Sequence, residues 1–134
     1  MNLIENKIDD LCNKYSNYTA PSFLSAVLLD QDYINDFCLT FLLDIDKSLF
    51  IKSDLNIDEY FNYWFNDSNI SLEFTNKLND ILGEPIEIIN FKDDSLIKDL
   101  LSGPFGTTGY YFLEDIFFAI YKDFVYCFMI GNNE

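Results

Sequence analysis

The residues best suited to chemistry in this chain are carboxylates, and four places concentrate them. These are Asp30, Asp32 and Asp36; Asp44 and Asp46; Asp93 and Asp94; and Glu114 with Asp115. Paired carboxylates can divide acid and base roles in glycoside hydrolysis, or hold two metal ions for phosphodiester cleavage. Either chemistry needs support from other side chains. The 134 residues include no His and no Arg, and all 8 basic residues are Lys. The chain therefore lacks an imidazole to act as a base near neutral pH. It also lacks a guanidinium fork to clamp an anionic substrate. No Asp-x-Asp-x-Asp-Gly calcium loop is present. Cys12, Cys38 and Cys127 are isolated, odd in number and set among apolar residues, which reads as reduced buried thiols rather than zinc ligands. A small hydrolase ranks last among the functional readings, and neither a cofactor nor a metal is expected.

The stretch SGPFGTTGYYFLED, Ser102 to Asp115, holds three of the five glycines. A phosphate-binding loop would end in Gly-Lys-Ser/Thr and open a helix. Gly106-Thr-Thr-Gly109 has no Lys and runs into a β-prone segment, the reverse of a dinucleotide fingerprint. Gly106 and Gly109 are read as turn residues that accept positive φ.

Charge narrows the function further. There are 23 acidic residues and a net charge of −15. Direct nucleic-acid binding relies on basic side chains to neutralise phosphates, and an anionic membrane repels such a chain. A strongly acidic domain attracts basic partners instead. The N-terminal MNLIENKIDD has no basic n-region or long apolar h-region, so a cytoplasmic location is expected. No apolar run approaches membrane-spanning length.

Several elements must position these groups. Leu3, Ile4, Ile8, Leu11, Cys12 and Tyr15 have helical spacing. Pro21 fits the first turn of a second helix carrying Phe23, Leu24, Val27 and Leu28. Phe37 to Leu43 and Ser48 to Lys52 read as a hairpin turning at Asp44 to Lys47. Asn56 and Glu59 form a capping-box pattern ahead of Ile57, Tyr60, Phe61 and Trp64. Ser71 is a candidate cap for a helix carrying Phe74, Leu78, Ile81 and Leu82, stopped by Gly83 and Pro85. PIEIINF reads as a strand, and a short helix begins at Asp94 or Ser95 and ends near Gly103. YYFLEDIFFAIYKDFVYCFMI reads as two aromatic strands with a tight turn at Lys122-Asp123. The expected fold is α+β: one domain over residues 1–134, with helices covering a largely antiparallel sheet.

Asp44 and Asp46 suit a turn, and Asp93 and Asp94 suit a helix N-terminus, where anions contribute roughly 0.3–1 kcal/mol. Glu114 and Asp115 are harder to place, because acids are poor strand formers. Alternation would send them to opposite faces, so one must find a donor, an edge position or a partner protein.

The segment FGTTGYYFLEDIFFAIYKDFVYCFMIGNNE, Phe105 to Glu134, resembles the end of a group of contact-dependent growth-inhibition immunity proteins. The resemblance rests on Gly-Tyr-Tyr-Phe-x-Glu-Asp and the terminal Gly131-Asn132-Asn133-Glu134. It implies a small cytosolic antidote that binds the C-terminal toxin domain of a neighbour's surface effector, often a nuclease, and blocks it. A surplus of carboxylates suits a surface that must cover a phosphate-attracting site. The expected contact residues are Asp30, Asp32, Asp36, Asp93 and Asp94, with Tyr110, Tyr111, Glu114 and Asp115 from the C-terminal segment. The rival reading is an acidic nucleic-acid mimic that inhibits many DNA- or RNA-binding proteins. It predicts carboxylates spaced like phosphates along one extended face.

Overall fold

The computed structural model describes residues 3–103 and 108–133. Within them the chain forms α1 (Leu3–Tyr15), β1 (Phe23–Leu29), α2 (Tyr33–Thr40), β2 (Phe50–Lys52), α3 (Ile57–Trp64), α4 (Ser68–Leu82), β3 (Glu87–Phe91), α5 (Asp94–Leu101), β4 (Phe112–Ile120) and β5 (Val125–Asn132). The strands lie in the order β1-β5-β4-β3-β2, and every neighbouring pair is antiparallel. The architecture is α+β, as the sequence predicts.

Both faces of this sheet are covered. On one face Ile8 and Tyr15 of α1, Phe61 of α3 and Phe74 and Leu78 of α4 pack on Leu24, Phe117 and Phe128. On the other, Phe37 of α2 and Ile97 and Leu101 of α5 pack on Phe91, Phe118 and Cys127. The central strands therefore read as continuous apolar runs, because each side chain meets a helix whichever way it points.

This double cover explains two corrections. FLSAVLL is not a second helix but β1, paired with β5 from Phe23↔Gly131 to Leu29↔Val125. A short apolar run has no period of its own when side chains of both faces pack against other elements. Pro21 lies in the turn before the strand, after a cis Ala20–Pro21 bond. Conversely, the strand predicted over Phe37 to Leu43 is largely α2, and there is no hairpin with Ser48–Lys52. Tyr33, Phe37 and Phe41 recur every four residues, and Phe37 and Phe41 are buried with ring centroids 4.9 Å apart. That spacing on a helix lays one aromatic stripe on the sheet.

Other signals are borne out. Glu59 Oε1 accepts from the Asn56 N–H at 3.3 Å and closes the capping box of α3. Gly83 ends α4 with φ +77°. The cap of α4 is Asp67 rather than Ser71: its Oδ1 accepts from the N–H groups of Asn69 at 2.8 Å and Ile70 at 3.3 Å. Ser71 is buried one turn inside the helix. The β4–β5 hairpin turns at Lys122-Asp123, closed by Tyr121 N–H donating to Phe124 O at 2.9 Å. Gly109 takes φ +86°, whereas Gly106 lies outside the described residues.

A different glycine has a tighter role. A Cβ on Gly131 would lie 2.5 Å from the backbone oxygen of Phe112 and 2.9 Å from the Tyr110 ring. Gly131→Ala is expected to lower stability by about 1–3 kcal/mol through overpacking. Urea denaturation checks this, and a cost below about 0.5 kcal/mol would mean that Tyr110 and β4 move aside freely.

Candidate partner-binding surface

Glu114 is exposed and Asp115 half-buried, and both carboxylates are hydrogen-bonded to the fold. β4 slips register between Leu113 and Asp115, leaving Glu114 as the extra residue of a bulge. The bulge overturns simple alternation between the two acids. Glu114 Oε2 accepts from Ser22 Oγ at 2.6 Å. Asp115 Oδ2 accepts from the indole N–H of Trp64 at 2.8 Å, and its Oδ1 accepts from the Ile116 N–H at 2.9 Å. Lys98 of α5 stands 3.7 Å from the same carboxylate. Each acid thus has the donor that its place in a strand requires.

The two tyrosines beside them divide. Tyr110 is buried; its hydroxyl lies 2.7 Å from Ser25 Oγ and donates to Phe23 O at 3.0 Å. Burial pushes its phenol up to about 12. Tyr110 therefore presents no ring to a partner and acts as a strut over Gly131, a correction to the sequence reading. Tyr111, Phe112 and Phe23 remain about half exposed. Asp93 precedes α5, is exposed, and makes no side-chain bond to the helix backbone. Asp94 opens that helix, and its side chain lies outside the described residues.

The remaining predicted acids gather around α2. Asp30 and Asp32 are exposed in the turn leaving β1, and Asp36 Oδ2 accepts from the Asp30 N–H at 3.0 Å. Beyond the helix, Asp46 Oδ1 accepts from the Ser48 N–H at 2.8 Å. That bond holds the Asp46 carboxyl below its ordinary range. Between these acids runs a groove of about 790 Å³, lined by Ile34, Cys38, Leu39, Leu43 and Ile45 with Asp32, Asp44 and Lys47.

Two leucines stand out of this surface, Leu39 at 68% exposure and Leu42 at 80%. Leu42 also has φ +56°, the one non-glycine with positive φ among the described residues. The cause is local. Phe41 N–H donates to Phe37 O at 3.0 Å and Leu43 N–H to Cys38 O at 2.9 Å. The second bond spans five residues, the mark of a Schellman ending, and it leaves Leu42 at the position that glycine usually fills. A left-handed leucine costs about 1–2 kcal/mol. Leu42→Gly is expected to raise stability by about 0.5–1 kcal/mol once the unfolded glycine's extra freedom is deducted. Thermal melts measure it, and a lower Tm would refute the strain.

Sequence reasoning missed Leu39 and Leu42 because it placed them in a strand. The four-residue spacing of Tyr33, Phe37 and Phe41 was the available signal.

A second cleft, of about 510 Å³, lies between the β2–α3 loop, α4 and the start of β3. Asp54, Asp58, Glu84 and Glu87 line it with Lys52, and Asn79 Oδ1 is buried without a hydrogen-bond partner among the described residues. No three metal-ligating side chains converge among the described residues. No helix there is long and apolar enough to cross a membrane. Comparisons of the chain with protein-family models, with curated proteins and with solved structures found no match.

Proposed function

We propose that this chain is a bacterial immunity protein that binds and neutralises one toxin domain, a nuclease, of a contact-dependent inhibition effector. It acts in the cytoplasm by binding alone, without catalysis or a cofactor. The observation that carries this reading is the α2 surface, where exposed carboxylates surround two exposed leucines, one of them held in a strained backbone. Leu42 gains little burial in the isolated chain for the conformation it adopts. A partner that covers it would recover roughly 1.5–3 kcal/mol of apolar transfer energy. The surrounding acids suit a toxin whose own surface is built to attract phosphate. The resemblance of the segment from Phe105 to Glu134 supports the same class.

Exposed leucines among the acids favour one shaped partner over the many partners of a nucleic-acid mimic. A mimic needs charge in a row and no apolar anchors. Co-purification and growth rescue with the toxin encoded upstream test the reading. Absence of both binding and rescue would sink it, and equal inhibition of unrelated DNA-binding proteins would favour the mimic.

Leu42→Gly separates fold from contact. The variant is expected to melt no earlier than the parent and to bind the toxin about tenfold to a hundredfold more weakly, the equivalent of the leucine's burial. Titration calorimetry reads the change, and unchanged affinity would place the interface elsewhere.

A further inference from the structure

The two outer strands of the sheet differ in how they are guarded. β2 is three residues long and carries Lys52. Short length and Lys are common ways of keeping an edge from pairing with another chain. β1 has seven residues, Phe-Leu-Ser-Ala-Val-Leu-Leu, with no charge and no Pro. The orientation of its free edge follows from one bond. The Leu24 N–H donates to Ser16 Oγ at 3.1 Å, so it points away from β5. Antiparallel strands alternate in this respect, so the N–H and C=O groups of Ala26 and Leu28 also point outward. Both residues are only partly buried.

We propose that β1 is a docking edge that takes an extended, lysine- or arginine-bearing segment of a basic partner as a sixth strand. Under the immunity reading, on which this partly rests, that segment belongs to the toxin domain. Charge selects the occupant. Asp30, Asp32 and Asp36 follow the strand directly. On the other face, Glu5 and Asp9 of α1 act electrostatically on Tyr126, the register partner of Leu28. A second copy carries the same net charge of −15 and the same acids beside its edge, whereas a basic strand would neutralise them. Main-chain bonds would supply affinity and the flanking acids specificity, the usual division in strand addition.

Hydrogen exchange on the unmodified protein tests the edge directly. The probes are a short synthetic peptide alternating Val and Lys, and its Val-Glu counterpart. The lysine peptide is expected to slow exchange at the Ala26 and Leu28 amides at least about tenfold, and the glutamate peptide to leave them unchanged. Ala26→Pro removes an outward N–H without breaking a bond to β5, and is expected to abolish the protection at Leu28 while the melt stays close to the parent's. No protection by the lysine peptide, or equal protection by both peptides, overturns the proposal. Protection that grows with protein concentration alone overturns it in favour of self-pairing. A toxin that binds while both amides exchange freely overturns it and leaves the immunity reading standing. Protection by the lysine peptide with no toxin bound keeps the edge and removes that reading.

Discussion

Under the proposed function, the association rate of the toxin domain is expected to fall by about tenfold to a thousandfold as ionic strength rises from low to high. The dissociation rate should change much less, because steering acts on encounter rather than on the docked interface. The cause is the charge of −15, with no Arg to form paired clusters inside the chain. Among the described residues, Lys98 approaches Asp115 at 3.7 Å. Screening limits the reach of the carboxylates to about 8 Å at physiological salt and about 3 Å at 1 M. Stopped-flow binding across that range measures the effect. A flat association rate would refute steering and assign recognition to Leu39, Leu42 and the groove beside them.

The second large effect lies in the core. Phe61→Ala is expected to cost about 3–5 kcal/mol, the range for removing a fully buried phenylalanine. Phe61 has no exposed surface, and its ring centroid lies 4.8 Å from Phe74, 5.4 Å from Phe128, 5.5 Å from Trp64 and 5.6 Å from Phe117. It thus joins α3, α4 and two central strands. With a typical domain stability of about 5–15 kcal/mol, one such loss can leave much of the protein unfolded at growth temperature. Tm should drop by roughly 10–20 °C. Rescue of growth by the variant should weaken because less folded protein is present, while affinity per folded molecule holds. A loss under about 1.5 kcal/mol would mean that the neighbouring rings close the cavity.

How much of this was legible in the sequence depended on whether an element has one buried face or two. α3 and α4 each show one apolar stripe, and Asn56, Glu59 and Gly83 mark their ends, so period and punctuation agree. The β4–β5 hairpin was readable for its length and aromatic content. β1 and the segment around α2 were exchanged because a strand covered on both faces lacks alternation, and a helix of eight residues shows barely two turns of its own period. The candidate surface was half readable. Charge pointed to Asp30, Asp32 and Asp36, but Leu42 occupies a glycine position and so hides the helix ending beneath it. The settling of Glu114 and Asp115 depends on a bulge, a backbone event that no residue type there announces. Their donors, Ser22 and Trp64, come from distant parts of the chain.

The burial of Cys12 and Cys127, with Cys38 half-buried in the groove rather than buried as the sequence predicts, carries a consequence for how the protein meets changing conditions. Cys12 is pushed up to about 12, by burial first and then by Asp9. Burial raises Cys38 and Cys127 as well. With no histidine in the chain, neither an imidazole nor a thiolate gains or loses a proton near neutrality. Thiols held protonated are also poor nucleophiles toward oxidants. The three thiols therefore form no switch between thiol and thiolate near neutral pH. Under the proposed function, these thiols leave the affinity for the toxin unaffected by neutral-range pH.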